Sequence, residues 1–399
     1  MIEAIRSYKG KTLFLAILCI VANLSYYPVF VANGIGRRVN TALWVLLGIL
    51  ILYDNKISFG GSLIRTYTIL FALFVINSAV VSYFTGENAF DNHFFQPAMT
   101  AFVIFFCAYT LGYEIDKEKL IKICKAYFYS MLIISILLFF IYLRKTDLST
   151  RYYEYRYGKN EISVLLMCAL AIGCTVYDAD THMKKLMRVA LIVFCVTDIL
   201  YLRCRTVMVG IAILILVMVF SNKGIKPGLR MMITLFVIAC TIFFIFNTDR
   251  FDTFLDQFIY AGRDSSDIND LSSGRSDQIS YGMSVFRANE LFGVGALHDT
   301  LDCFYVSVLA NCGIFGWPLL VMAVVPFIWS IYNLKNADSV DLCFFVISAS
   351  IFAEMISEEL APFGPGTRCY LLWLMWGILA RRKRIEYLQK SAYIDNGAE

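Results

Sequence analysis

The sequence predicts an all-α polytopic membrane protein, and its composition and the length of its apolar segments are the basis for this. Apolar residues make up 59% of the 399 residues and charged residues only 17%, which is more apolar surface than one water-soluble core can bury. Segments near the ~20 residues of a membrane-crossing helix recur from end to end. The chain therefore belongs in a bilayer, and its net charge of +4 gives no indication of nucleic acid as a partner.

About twelve transmembrane helices are expected, in a single integral membrane domain that spans residues 1–399. The tenth segment is long enough to be a short surface helix joined to a span at Gly313, Gly316 and Pro318. In order, the predicted segments are Thr12–Ala32, Val39–Tyr53, Thr66–Phe84, Phe94–Tyr113, Ile121–Leu143, Ile162–Tyr177, Leu186–Leu202, Thr206–Phe220, Met231–Phe246, Leu301–Tyr332, Leu342–Leu360 and Thr367–Leu379.

The basic residues at the two ends predict the orientation. Arg6, Lys9 and Lys11 precede the first segment, and RRKR at 381–384 follows the last. Because positively charged flanks stay on the inner side, both termini are expected in the cytoplasm. The one long loop, residues 247–300 between the ninth and tenth segments, then lies on the outer side.

Arginine rather than lysine dominates the basic residues of the outer side, although topology needs only positive charge. A guanidinium group can hold phosphate or carboxylate with two parallel hydrogen bonds and keeps its charge. A polyanion is therefore the expected ligand, although loop arginines are also commonly solvated or reach back to the interface. The candidates are Arg156, Arg203, Arg205, Arg275 and Arg287.

Two further groups of charges lie close to the predicted outer membrane surface. Arg203 and Arg205 fill most of a short connection, where an unpaired charge is costly, so Asp198 is a candidate neutralising partner. Glu354 and Glu358 are four residues apart, and on one helical face they would look into the bundle together. They bind sugar hydroxyls or hold an arginine, and an ion-pair network between helices is an equally open interpretation.

The long outer loop predicts an amphipathic helix from Ser276 onwards. Ile279, Met283 and Phe286 recur at helical spacing, and the side chain of Ser276 or Asp277 offers an N-cap oxygen. We expect this helix to lie on the outer membrane surface.

A histidine follows the predicted surface helix. Gly293 and Gly295 end the helix, and His298 comes just before the tenth segment. An imidazole has a pKa suited to removing a proton near neutral pH. His298 is therefore the candidate general base.

The stretch SGRSDQISYGMSVFRANELFGVGALHDTLDCFYVSVLANCGIFGWPLL, residues 273–320, carries a resemblance to a known family. Its Ser-Gly-Arg start, its Leu-Phe-Gly-x-Gly turn, its histidine and its glycine-flanked entry into a membrane helix resemble the O-antigen polymerase (Wzy) and O-antigen ligase (WaaL) group of lipid-linked glycan transferases. The pair Arg203 and Arg205 fits the same pattern. Glu290 stands where a proline is common and Asp299 where an asparagine is.

The resemblance implies a GT-C type fold and a donor glycan on undecaprenyl diphosphate. It implies that Arg203 or Arg205, together with Arg275, holds the diphosphate, that His298 acts at the acceptor, and that Asp299 lies beside the substrate. The expected partners are the lipid-linked donor and acceptor and membrane lipids, with a chain-length regulator as a candidate. The expected location is the bacterial inner membrane, with the active site facing the periplasm.

The expected reaction is a metal-independent, inverting glycosyl transfer that polymerises oligosaccharide repeat units. No clustered outer Asp and Asn set resembles a divalent-metal cage, so we expect neither metal nor other cofactor, and fixed arginines can meet the charge of the leaving diphosphate instead. Tyr155 and Arg156 offer a second sugar-stacking and cationic surface, which favours a polymerase.

Two other functions stay open at this point. A ligase that moves the finished glycan to lipid A core would use the same residues as a polymerase. A flippase for lipid-linked oligosaccharides is the alternative from another class, although the sequence has neither a clear internal repeat nor a convincing charge at the membrane midplane.

Overall fold

The computed structural model describes residues 8–53, 60–88, 94–145, 158–220, 227–261, 263–264, 266–295, 301–364 and 368–396. Within these ranges every regular element is a helix. The expected all-α class is therefore confirmed for this part of the chain. The α-helices are α1 (Tyr8–Ser25), α2 (Pro28–Ala32), α3 (Ile35–Tyr53), α4 (Ser62–Thr85), α5 (Phe95–Leu111), α6 (Lys117–Ile141), α7 (Lys159–Thr175), α8 (His182–Leu202), α9 (Arg205–Phe220), α10 (Pro227–Phe246), α11 (Thr248–Phe254), α12 (Ile268–Ser272), α13 (Arg275–Ala288), α14 (Phe304–Cys312), α15 (Trp317–Asn333), α16 (Ser339–Glu354) and α17 (Tyr370–Asn396).

Three helical segments in the described ranges are long and apolar enough to cross a membrane. They are Ser62–Thr85, Lys117–Ile141 and the combined segment Phe304–Asn333, and several shorter apolar helices accompany them. On α4, Tyr67 and Phe74 are buried, whereas Ile69 is 59% and Ile76 57% exposed. Large aliphatic side chains exposed on an apolar helix are typical of a surface that faces lipid. These features indicate a membrane protein.

The core is built from pairs of helices that contact each other, notably α17 with α5, α1 with α6, and α9 with α16. Aromatic rings fill the space around the first pair: the ring centroids of Phe105 and Trp376 are 4.2 Å apart, and those of Tyr67 and Phe105 are 4.8 Å apart. The Tyr370 hydroxyl donates a 2.8 Å hydrogen bond to Oδ1 of Asn23. This bond ties the start of α17 to α1.

Several helix boundaries differ from the sequence-based segments. The first segment is divided into α1 and α2, because Pro28 cannot donate a backbone hydrogen bond and starts a new helix. The eleventh predicted segment corresponds to α16, which ends at Glu354 rather than at Leu360. The last helix runs past the basic residues to Asn396.

The tenth segment is broken at the predicted glycines. Helix α14 ends at Cys312, a 3₁₀ turn covers Gly313–Gly316, and α15 follows. The Val294 amide donates to the Ala310 carbonyl at 3.0 Å, and the Ile314 amide donates to the Glu290 carbonyl at 2.8 Å. The turn after α13 is therefore hydrogen-bonded directly to the break between α14 and α15.

Glycine is required where these two backbones meet. Gly293 has a φ of +64°, and a Cβ added there would lie 2.5 Å from the carbonyl carbon of Asn311. Backbone atoms cannot move aside as a flexible side chain can. The loop that carries the family-like motif is thus held against the broken helix by contacts that only glycine permits.

We expect Gly293→Ala to destabilise the protein by roughly 2–4 kcal/mol, because it combines left-handed backbone strain with a backbone clash. Thermal unfolding in detergent measures the effect. Gly86→Ala is the matched control, since Gly86 has a φ of +72° but open space around its Cβ position, and we expect a cost of about 1 kcal/mol there. Equal effects of the two substitutions would show that the close approach is unimportant.

Candidate functional site

Arg205 links the start of α9 to the segment that begins α13. Its guanidinium group donates hydrogen bonds to the carbonyl oxygen of Leu271 and, at 2.7 Å, to the hydroxyl of Ser273. The charges of Arg263 and Arg275 both act on Arg205. Because Ser273 is only two residues before Arg275, this bond places Arg205 and Arg275, two of the three predicted diphosphate-binding residues, in one cationic cluster.

A lysine joins this cluster from a helix that the sequence analysis did not connect with the site. Lys159 is the first residue of α7, and the charges of Arg263, Arg275 and Glu358 act on it. Four basic residues from three separate parts of the chain are thus near enough for their charges to act on one another. Their mutual repulsion favours an anion between them.

The third predicted diphosphate-binding residue, Arg203, caps the end of α8. Its backbone is in the left-handed region with a φ of 50°, and its side chain is mostly buried. The expected pairing with Asp198 is wrong: both carboxyl oxygens of Asp198 are buried without a hydrogen-bond partner in the described part of the chain. Arg205 is directed instead towards the loop before α13.

The start of α13 differs from the predicted cap. Gly274 is the N-cap residue, with a φ of +81°, so the helix begins at Arg275. The expectation that Ser276 or Asp277 caps the helix is wrong. Asp277 instead accepts a 2.5 Å hydrogen bond from the Asn269 side chain. Because glycine tolerates the left-handed conformation, the chain can turn sharply and place Arg275 in the first helical turn.

Glu358 connects the cationic cluster to the core. One carboxyl oxygen, Oε1, lies 3.7 Å from Arg275 Nη2 and accepts a 2.5 Å hydrogen bond from Asn160 Nδ2. The other, Oε2, lies 3.5 Å from Arg368 Nη1. A single carboxylate therefore contacts residues of α7, of α13 and of the segment before α17.

Arg368 is the residue that the sequence analysis missed. Its side chain is fully buried, and its Nη1 lies 3.4 Å from Oε1 of Glu354, which is also buried. Since α16 ends at Glu354, Glu358 reaches the same guanidinium group from the following turn rather than along a shared helical face. Both glutamates therefore hold an arginine, and their binding of sugar hydroxyls stays a prediction. The sequence signal that could have identified Arg368 is an isolated arginine between the residues Gly-Pro-Gly at 364–366 and the last apolar helix.

The segment before α14 supplies a second carboxylate to Arg275. Oδ2 of Asp302 lies 3.6 Å from Arg275 Nε, and the Asp302 amide donates to the Gln278 side chain at 2.8 Å. Burial raises the pKa of the Asp302 carboxyl above its usual value, although the charge of Arg275 acts to lower it. The Asp302 carboxylate is therefore protonated at a higher pH than an exposed aspartate, and Arg275 loses this partner as the pH falls.

Other predicted site residues lie elsewhere or outside the described part of the chain. Arg287 is exposed near the far end of α13, roughly 18 Å along the helix axis from Arg275 at ~1.5 Å per residue. The structure does not bring it to the cluster. His298, Asp299, Tyr155 and Arg156 lie outside the described residues.

The apolar face of α13 packs on the protein itself. Ile279 and Met283 contact a small cluster formed by residues that include Leu301 and Val306. The predicted helix is present, but at least this face is covered by α14 and the residues before it. The contact holds Arg275, at the start of α13, beside Asp302.

Comparison with protein-family models and with characterised proteins found no match to this chain.

The distances within the cluster indicate which arginine can leave its carboxylate partners and bind a ligand. Both pairs of Arg275 are longer than the ~2.7–2.9 Å of a strong charge-assisted hydrogen bond, and its side chain is 21% exposed. Arg368 has no exposed surface. Arg275 can therefore take a new anionic partner, whereas Arg368 serves to hold Glu354 and Glu358.

We expect Arg368→Ala to destabilise the protein by roughly 3–5 kcal/mol, because it leaves the buried Glu354 carboxyl without its counter-charge. Thermal unfolding in detergent is the measurement. Arg287→Ala, at an exposed arginine, is the control and should change stability by less than about 0.5 kcal/mol. Adding Glu354→Leu to Arg368→Ala should restore part of the loss, and no restoration would contradict the ion-pair explanation.

Proposed function

We propose that this protein is a glycosyltransferase that polymerises undecaprenyl-diphosphate-linked oligosaccharide repeat units into O-antigen or a related surface polysaccharide. In this proposal about twelve helices span the bacterial inner membrane in a GT-C type arrangement, both termini are cytoplasmic, and the site faces the periplasm. The observation that carries the proposal is a group of basic residues linked by short contacts. Arg205 bonds to Ser273, two residues before Arg275, and Glu358 joins Arg275 to Asn160, the neighbour of Lys159. Such a cluster suits a diphosphate, which carries several negative charges.

The proposed reaction is a single displacement at the anomeric carbon of the donor. The acceptor hydroxyl oxygen forms a bond to that carbon while the bond to the diphosphate oxygen breaks, which inverts the configuration. His298 takes the proton of the acceptor hydroxyl. The electron pair of the broken bond goes to the diphosphate, whose charge the arginines stabilise without reorganisation.

Two carboxylates beside Arg275 offset part of the positive charge of the cluster. Asp302 and Glu358 each form a long ion pair with Arg275. A diphosphate oxygen that approaches to hydrogen-bond distance would be a stronger partner than either. Because Glu358 is also bound by Arg368 and Asn160, it can stay in place when Arg275 turns to the ligand.

His298 enters the proposal through its sequence position and the family resemblance. It precedes Asp302 by only four residues, and Asp302 contacts Arg275. On the other side, the Gly295 amide donates a 2.8 Å hydrogen bond to the Asn311 carbonyl. Both flanks of the histidine segment are thus tied to elements that also hold the cationic cluster.

We expect His298→Ala to abolish polymerisation while single repeat units still reach the cell surface. The reason is that the acceptor hydroxyl loses its base. The measurement is the ladder of glycan chain lengths in a deletion strain that expresses the variant at normal abundance in the membrane. A wild-type ladder in the variant would contradict the role of His298. If the deletion strain itself still made polymer but failed to attach it to lipid A core, the protein would be a ligase.

We expect Arg275→Ala to raise the KM for the lipid-linked donor by roughly 10- to 100-fold. This corresponds to the loss of a hydrogen bond to a charged group, which contributes about 1.5–3 kcal/mol. Arg275→Lys should recover only part, since lysine lacks the bidentate fork. Turnover of purified lipid-linked repeat by the reconstituted enzyme is the assay. Arg250→Ala, in the exposed helix α11 of the same loop, is the control, and an equal effect of the two alanine variants would remove Arg275 from the site.

A further inference from the structure

A basic pocket lies farther along α17 than the cationic cluster, which is near the start of that helix. It has a volume of about 400 Å³ and is lined by residues that include Gly60, Tyr113, Arg381, Arg384 and Leu388. These belong to the turn before α4, the turn after α5 and the middle of α17. The volume is in the ~300–1,000 Å³ range of small-ligand sites.

The two arginines of this pocket differ from their neighbours, because no carboxylate of the described residues pairs with them. Arg381 Nη1 donates to the Gly60 carbonyl at 3.3 Å, and Arg384 Nη1 donates to the Tyr109 hydroxyl at 3.3 Å. Among the described residues neither forms an ion pair, whereas Arg382 pairs with Glu386 at 3.6 Å. Lys383 likewise pairs with Asp341 at 2.8 Å. Most guanidinium donors of Arg381 and Arg384 are thus left for a ligand.

The surroundings hold these two guanidinium groups in place. Arg381 lies over the rings of Tyr109 and Tyr113, with its Cζ 5.4 and 5.8 Å from the ring centroids. A Cβ added at Gly61 would be 2.8 Å from Arg384 Nη1. The absence of a side chain at Gly61 therefore makes room for Arg384. Fixed guanidinium groups lose less entropy on binding an anion than mobile ones.

Apolar and aromatic side chains next to the pocket fit the border of a bilayer. Tyr113 is 71% exposed and Leu388 52% exposed, and both line the pocket. Residues 370–380 of α17, directly before the basic run, are apolar apart from Gly377 and are buried in the protein. Tyrosine beside basic residues at the end of an apolar helix is typical of the membrane interface, and basic pockets between helices on the inner side bind lipid headgroups.

We propose that Arg381 and Arg384 bind the phosphate of an anionic phospholipid of the inner leaflet, with its acyl chains against the exposed apolar surface at Leu388. The chemistry recognised is a phosphate ester beside hydrocarbon. A soluble phosphate ester shares the first part and lacks the second. The assignment to the inner leaflet rests on the proposed cytoplasmic position of the C-terminus, whereas the site does not depend on the glycosyl-transfer reaction.

The test uses the full-length protein in detergent, with phosphatidylglycerol, phosphatidylcholine or glycerol phosphate added, and bound molecules are counted by native mass spectrometry. We expect the wild type to retain phosphatidylglycerol in preference to phosphatidylcholine and to bind glycerol phosphate much more weakly. Arg384→Gln should lower retention roughly fivefold, and Arg381→Gln with Arg384→Gln by more. Arg382→Gln, which removes the same charge from the same run outside the pocket, is the matched control and should retain lipid as the wild type does.

Three results would overturn the proposal. Equal retention of phosphatidylglycerol and phosphatidylcholine by the wild type would exclude an anionic-lipid site, and this measurement does not depend on any variant folding. An equal loss in Arg382→Gln and Arg384→Gln would indicate diffuse attraction by the basic run. Glycerol phosphate that binds as tightly as the lipid would assign the pocket to a soluble phosphate ester instead.

Discussion

The burial of Arg368 is the constraint on which the candidate site depends. A guanidinium group keeps its charge and is costly to remove from water, so it must be met by carboxylates. Glu354 at the end of α16 and Glu358 in the turn that follows provide them. The approach to α17 and the end of α16 are thereby fixed to each other. The Phe304 amide, which donates to the Met355 carbonyl at 2.9 Å, attaches the start of α14 to the same turn.

The Glu358 carboxylate connects the buried Arg368 to the cationic cluster. Glu358 also contacts Asn160 and Arg275, which lie in the first turns of α7 and α13. Three of the four cationic residues, Lys159, Arg205 and Arg275, are the first residues of helices, and helix beginnings are rigid points with few degrees of freedom. Positions that are fixed in this way favour electrostatic preorganisation, because charges that do not have to move lose nothing when a ligand arrives.

The sequence predicted helix positions well and contacts poorly, for a physical reason. Apolar runs locate helices wherever they occur, and the glycines at 313 and 316 indicated the break between α14 and α15 correctly. The partner of Glu354 could not be read in this way, since Arg368 reaches it only through tertiary packing. Asp198 illustrates the same limit. It is near both arginines in the chain, but its carboxyl oxygens have no hydrogen-bond partner among the described residues, and the Arg205 guanidinium bonds to Ser273. Local spacing specifies which residues are available and not which ones meet.

The two arginines on either side of Glu358 have different tasks, and burial separates them. Arg368 is enclosed and cannot leave its carboxylates without exposing an unpaired charge, whereas Arg275 is partly exposed and held by two long ion pairs. Burial raises the pKa of the Asp302 carboxyl, so Asp302 gains a proton at a higher pH than an exposed aspartate does. Protonation of Asp302 removes one of the two negatively charged partners of Arg275. Acid then increases the net positive charge around Arg275, so anion binding at this cluster should strengthen as the pH falls through the pKa of Asp302.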